Sequence, residues 1–192
     1  MDPDILVLAS ASPRRAELLR AAGIPFEVVT ADVDERQLDG EDADTYVRRL
    51  AAAKAARVAG ARSGRAVLGA DTTVVIDGEV LGKPRDTADA AAMLSRLSGR
   101  SHLVLTGVCL IGPDGGQETA VASTQVEFRP LAGDEIDRYV ASGEPMDKAG
   151  AYAIQGGAGG FVTRLDGDYD NVVGLPVGLI QAMCRARGIQ VS

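Results

Sequence analysis

The segment Gly69-Ala70-Asp71-Thr72-Thr73-Val74-Val75-Ile76 constrains this chain more than any other, because it threads one carboxylate through an apolar, β-branched run. Ala66-Val67-Leu68 leads into it and Asp77-Gly78 makes the turn that follows, so the pattern predicts a buried strand. Taking an ionised carboxylate out of water without a partner costs several kcal/mol. A fold that buries this strand must give Asp71 a cation, a metal or a water-filled cleft. The alternative is that Asp71 ends the strand and accepts a bond from a neighbouring backbone N–H.

A chain of 192 residues is long enough to bury a sizeable core as one domain or as two tightly joined lobes. Its 46% hydrophobic and 24% charged residues exclude a disordered chain. No apolar run approaches the roughly 20 residues of a membrane span, and Met1-Asp2-Pro3-Asp4 lacks the basic start of a signal peptide. A cytoplasmic location is expected. Cys109 and Cys184 lie in apolar patterns without metal-ligand spacing, as small buried hydrophobes in a reducing compartment do. The formal charge of −7 argues against a protein that coats nucleic acid or an anionic membrane. It leaves room for a small anionic substrate wherever positive charge is gathered locally. Arginines outnumber lysines 17 to 3, and Lys54, Lys83 and Lys148 each fall within or beside a motif. That placement is suggestive of sites where a compact ammonium does what a planar guanidinium does not.

The apolar run Ile5–Ala9 predicts a first strand, and Ser12-Pro13 then starts a helix that Gly23 stops. A strand, a serine-rich turn and a helix N-terminus carrying Arg14 and Arg15 favour an anion there, since arginines in a first turn oppose the helix dipole. Phe26–Thr30 is a second strand, and Ala31-Asp32-Val33-Asp34-Glu35 an acidic loop that is either solvated or near a divalent metal. Asp44-Thr45 is read as the cap of a long helix through Ala59, with Lys54 on it either functional or snorkelling to solvent. Gly82-Lys83-Pro84 is no phosphate loop: Gly78 and Gly82 are separated by three residues where four are needed, and Pro84 stands where Ser or Thr is required. Thr87–Leu97 and Ala132–Ser142 read as helices, and Ser101–Ile111 and Gln117–Phe128 as a long hairpin, with His102 structural. The glycine-rich Gly143–Gly160 stretch either brings backbone close to a ligand or merely turns, and Phe161–Leu165 continues as a strand. Asp166–Asp170 mimics a calcium loop but has Asn171 and Val177 at the positions that need Gly and Glu. A last helix spans about Pro176–Arg187.

With these segments in place, the chain resembles the Maf-like nucleoside triphosphate pyrophosphatase family nearly end to end. The resemblance rests on Leu8-Ala9-Ser10-Ala11-Ser12-Pro13-Arg14-Arg15, Gly69-Ala70-Asp71-Thr72, Gly82-Lys83-Pro84 and Leu97-Ser98-Gly99 with His102. It continues through Ser142-Gly143-Glu144-Pro145, Asp147-Lys148-Ala149-Gly150-Ala151-Tyr152, Ile154-Gln155-Gly156 and Asn171-Val172-Val173-Gly174-Leu175-Pro176, with Ala153 departing from the family's usual glycine. It implies one Maf-like domain over residues 1–192, an elongated mixed α/β sheet flanked by helices, with two lobes around a central cleft, similar to the inosine triphosphate pyrophosphatases. The implied reaction is hydrolysis of a nucleoside triphosphate to monophosphate and diphosphate, assisted by a divalent metal, Mg or Mn. The family's proton acceptor falls on Asp71, and its discriminating positions on Arg14, Thr72 and Gln155, in the pattern of the dTTP and UTP branch. Ser10, Arg15, Lys54 and Lys83 fall at phosphate- or substrate-binding positions, and Glu35 with Asp71 at the metal. The oligomeric state stays open, a homodimer included. The residues suit this chemistry: a base for water, cations for developing charge, and an amide at Gln155 to read a pyrimidine edge. Two other classes stay open on the sequence: a nucleotidyltransferase, and a non-catalytic nucleotide-binding regulator of cell division.

Overall fold

Strand β1 (Leu6–Ala9) is buried throughout and is followed by helix α1 (Pro13–Ala21), strand β2 (Phe26–Val28) and helix α2 (Ala43–Ala59). The computed structural model describes residues 5–191; Met1–Asp4, read above as lacking a basic leader, and Ser192 lie outside the described residues. The long strand β3 (Val67–Ile76) turns through Asp77 and Gly78, both at positive φ, into β4 (Glu79–Leu81). Helix α3 (Thr87–Leu97) and the hairpin β5 (Ser101–Ile111) and β6 (Gln117–Phe128) have the bounds the pattern predicts. Helix α4 (Gly133–Ala141) and three short 3₁₀ turns (Glu144–Asp147, Ala149–Ala151, Gly157–Phe161) precede β7 (Val162–Asp166), α5 (Tyr169–Val173) and α6 (Val177–Ala186).

The structure corrects the cap of α2 and the end of β2, and adds elements that the sequence pattern does not announce. Helix α2 is capped by Asp42, which accepts the Thr45 N–H at 2.8 Å, not by Asp44-Thr45. Strand β2 ends at Val28, two residues short of Thr30. Strand β4 and helix α5, with three and five residues, are too short for periodicity to register. The Asp166–Asp170 run spans the end of β7 and the start of α5: Asp168 accepts the Asp170 N–H and caps the helix.

The strands form one seven-stranded mixed sheet in the order β2-β1-β3-β5-β6-β7, with β4 also paired to β3. Strand β5 lines one edge of β3 continuously, from Val67 to Val75. On the other edge β1 pairs in parallel with residues 67–69 and β4 antiparallel with residues 74–76. Ala70–Thr73 therefore have no strand partner on that edge among the described residues, and a gap opens beside Asp71.

Side-chain alternation turns the gap into a divide. On one face, Leu68 and Ala70 join a core beneath α1 and α6 with Leu8, Leu19 and Ile180. Val74 and Ile76 join a separate core beneath α3 and α4 with Leu94, Phe128, Tyr139 and Phe161. Thr72 and Thr106 lie between, bonded to each other at 2.9 Å. The sheet therefore carries two separate cores on this face, one on each side of Thr72. On the opposite face α2 packs Ala51, Ala55 and Val58 against Val7, Val67 and Cys109.

Two glycines let α2 lie that close. A Cβ at Gly69 would collide with the Ala51 carbonyl and lie 2.7 Å from the Ala55 nitrogen; one at Gly107 would collide with the Val47 carbonyl and lie 3.0 Å from the Arg48 nitrogen. The obstacles are backbone, so the helix itself would have to move. Gly69→Ala is expected to destabilise the protein by about 2–3 kcal/mol in urea titrations, as overpacking does. Gly133→Ala, with nothing within 4 Å of the new Cβ, is expected to stay within about 0.5 kcal/mol of the parent.

Candidate active site

A cleft of about 540 Å³ opens at the gap beside β3, lined by the N-terminus of α1, the α2 face, β3 and the glycine-rich stretch. A more open depression of about 720 Å³ near Arg20, Phe26, Val28 and Gln190 has no carboxylate among its described lining residues, so the cleft is where carboxylates and cations converge.

Asp71 is 7% exposed and points to the α2 side of the sheet, where Lys54, also 7% exposed, donates to its Oδ1 at 2.6 Å. Lysine at this helix position meets Asp71 because Gly69 and Gly107 admit the helix; it does not snorkel to solvent. The same ammonium lies 2.6 Å from Oε1 of Glu35, whose Oε2 lies 3.7 Å from Nζ of Lys83. Tyr46 of α2 donates to the Glu35 carbonyl at 2.9 Å and ties the acidic loop to the helix. Burial pushes the Tyr46 hydroxyl up to about 12, with the charges of Asp71 and Glu35 adding to it, so it stays a donor. Sequence periodicity reads Tyr46 only as an apolar helix position; its hydroxyl role has no sequence signal.

The two carboxylates are held differently. Burial raises the pKa of Asp71 above the ordinary carboxylate range, against the opposing charges of Lys54 and Arg15. At Glu35 burial also works against the charge, but the Lys54 hydrogen bond and the charges of Lys54, Lys83 and Arg15 outweigh it and hold the pKa down. Burial and the same cations thus act on both groups, with burial prevailing at Asp71 and the cations at Glu35.

Arg15 is 9% exposed and engages the rim of the gap. Its Nη1 donates to the Ala70 carbonyl at 2.8 Å and to Oγ of Ser10 at 3.2 Å, its Nε to the Gly174 carbonyl at 2.8 Å, and its Nη2 to Oγ1 of Thr72 at 3.1 Å. The Ala70 carbonyl is one that β1, ending at Ala9, leaves without a ladder partner. Gly174, at a φ of 130° that disfavours a side chain, turns its carbonyl toward Arg15 and Thr72. The guanidinium thus braces the gap and lends its charge to the cleft from behind. Ser10 sits behind it, accepting the Ser12 N–H at 3.2 Å. Ser12 begins α1 in extended conformation without a side-chain cap bond, so the first-turn N–H groups are left for another acceptor.

Arg14 of α1 reaches across the cleft to Asp147, 3.5 Å away. Gln155 lines the far wall and its side chain has no hydrogen bond to another described residue. Asp71, Thr72, Arg14, Arg15, Glu35, Lys54, Lys83 and Gln155 therefore share one cavity. His102 stays outside it: buried, with Nε2 2.8 Å from the Tyr152 hydroxyl, and burial lowers its pKa to about 4. Among the described residues no three His, Cys, Asp or Glu side chains group to hold a metal. Glu35 and Asp71 are bridged by Lys54, and two carboxylates of this kind fit a magnesium ion only where phosphate oxygens and water complete its shell.

Replacing Lys54 by Met removes two contributions that lower the Asp71 pKa. In a carboxyl-carbon NMR titration, Asp71 of Lys54→Met is expected to protonate at higher pH than in the parent. Titration of the parent Asp71 below the ordinary aspartate value would show that pairing outweighs burial.

With this geometry in view, the chain was compared with known proteins. A family model described as "Maf-like protein" matches residues 5–187. A protein of Myxococcus xanthus (strain DK1622) named "dTTP/UTP pyrophosphatase" is 53% identical over 188 residues, covering 98% of this chain and 95% of its own. One of the same name from Symbiobacterium thermophilum is 56% identical over 174 residues, covering 90% and 88%. Among solved structures, the Ham1 protein of Staphylococcus aureus superimposes with a TM-score of 0.53 at 17% identity, over 95% of this chain and 98% of that one. That likeness concerns the fold alone, and it agrees with the mixed sheet flanked by helices. The match of the family model over almost the whole length, joined by relatives that keep more than half of the residues, means that the chain belongs to the Maf-like protein family.

Proposed function

We propose that this protein is a nucleoside triphosphate pyrophosphatase acting on dTTP and UTP, modified pyrimidine triphosphates included, in the cytoplasm and as one domain of two lobes. The observation that carries the reading is Asp71, held at the free edge of β3 with a raised pKa and a hydrogen bond from Lys54, in a cleft with cationic walls. The names of the two relatives support the substrate class. The absence, among the described residues, of a helix long and apolar enough to cross a membrane accords with a free nucleotide as substrate.

In this reading Asp71 orients a water and takes its proton as the water oxygen bonds to the α-phosphorus, on the side opposite the oxygen that bridges it to the β-phosphate. The bond to the bridging oxygen breaks and diphosphate leaves with that oxygen's electrons. Lys54 keeps Asp71 ionised until the proton is transferred. Lys83, Arg14 and the first-turn N–H groups of α1 face the oxygens where charge accumulates, and Arg15 adds its field while bracing the rim. Magnesium or manganese would be held by Glu35 and Asp71 and would supply Lewis-acid stabilisation of that charge. Gln155 and Thr72 face the base and sugar end, where an amide offers both a donor and an acceptor.

A panel of common and modified nucleoside triphosphates, 7-methyl-GTP included, incubated with magnesium or manganese, tests this directly. Monophosphate and diphosphate are expected from dTTP and UTP, and Asp71→Asn is expected to lower kcat by about 10²–10⁴-fold. Activity confined to 7-methyl-GTP overturns the substrate branch, and full activity of Asp71→Asn overturns the role of the base.

A further inference from the structure

Gln155 stands at the tip of a turn that belongs to no helix or strand, and nothing in its own side chain fixes where that tip lies. The turn is fixed from outside. Two residues before Gln155, the Ala153 N–H donates to the Tyr139 hydroxyl at 3.0 Å. Two residues after it, the Gly157 N–H donates to both carboxylate oxygens of Glu144 at 3.2 Å. The two anchors are one unit, because the Tyr139 hydroxyl donates to Oε1 of Glu144 at 2.9 Å. Burial raises the pKa of the Tyr139 hydroxyl, so it remains a phenol with one proton for Glu144 and lone pairs for Ala153.

The segment needs such a clamp. Gly156 and Gly157 give its backbone wide freedom, and ordering each residue costs on the order of 1–2 kcal/mol. The glycines are also what let Glu144 in: a Cβ at Gly156 would lie 2.7 Å from Oε2, and one at Gly157 would lie 3.2 Å from the Tyr139 ring. The Tyr139 ring packs edge-on against Phe161 at 5.2 Å, a contact that does not involve the hydroxyl. Anchor and core are therefore separable by substitution.

We infer that the Tyr139–Glu144 pair is a positioning device for base discrimination, holding the 153–157 turn so that Gln155 meets a pyrimidine edge at hydrogen-bonding distance. The inference rests on the reading of Gln155 given above. Neither Tyr139 nor Glu144 lines the cleft, so loosening the clamp is expected to weaken recognition of the base and to leave the cationic walls in place.

The test compares kcat and KM for UTP and CTP in the parent, Gln155→Ala, Tyr139→Phe, Glu144→Gln and the double variant Tyr139→Phe/Gln155→Ala, with thermal melting alongside. Tyr139→Phe and Glu144→Gln are each expected to lower the UTP-to-CTP ratio of kcat/KM by about five-fold, the worth of one hydrogen bond. The loss falls on KM for UTP, with kcat within about two-fold of the parent. In the Gln155→Ala background Tyr139→Phe is expected to lower the ratio no further. An unchanged ratio in Tyr139→Phe and Glu144→Gln overturns the clamp, as does an equal loss on both substrates or a full further loss in the double variant. If Gln155→Ala leaves the ratio unchanged, the reading of Gln155 falls and the clamp falls with it.

Discussion

The contact between Lys54 and Asp71 depends on the absence of two side chains. Gly69 and Gly107 sit side by side on neighbouring strands, Gly69 paired with Cys109 and Gly107 with Asp71, and both face α2. Helix α2 settles against their bare backbone, and Lys54, one residue before Ala55, reaches the carboxylate without being drawn out of the core. Breaking such a buried pair from one side costs about 3–5 kcal/mol. That penalty holds the helix, the strand and the acidic loop of Glu35 in one arrangement.

The gap in β3 pairing supplies the other half of the site. Strand β1 stops at Ala9 and β4 begins opposite Val74, and the four residues between them carry Asp71 to one face of the sheet and Thr72 to the other. A strand edge without partners leaves carbonyls to satisfy, and Arg15 takes the one at Ala70. The same guanidinium then binds Thr72 and Gly174, so satisfying a backbone group also aligns both faces of the cleft. The same atoms satisfy the backbone and line the cleft, and the two cores are separated by the polar Thr72–Thr106 pair.

The buried strand, its single carboxylate and the helix start at Ser12-Pro13 were legible because each is a local signal: β-branched run, turn residues, cap. The long hairpin and α3 were legible for the same reason. The presence of Lys54 in the site came from resemblance, since on periodicity alone a lysine in a long helix is equally well a solvated one. Tyr46, Asp147 and the Tyr139–Glu144 pair gave no residue-level sign of their roles. Tyr46 and Tyr139 fit apolar helix positions by their rings, and their hydroxyls act across 11 and 14 residues of chain. Arg15 looked like a free cation beside a helix N-terminus and is instead bonded to four oxygen acceptors.

By itself the sequence determined a buried strand around Asp71 whose carboxylate had to be satisfied by a cation, a metal, water or a backbone N–H, because the run of β-branched residues and the cost of an isolated charge are properties of local chain and solvent. It also determined, through its motifs, the family to which the chain belongs. Only the tertiary structure decided which cation meets Asp71, which carboxylate is raised and which is held down, and that Arg15 spends its donors on the rim. Those outcomes depend on distances between segments far apart in the chain, and the approach of α2 to two glycines fixes them at a scale of tenths of an ångström that no pattern of residue types encodes.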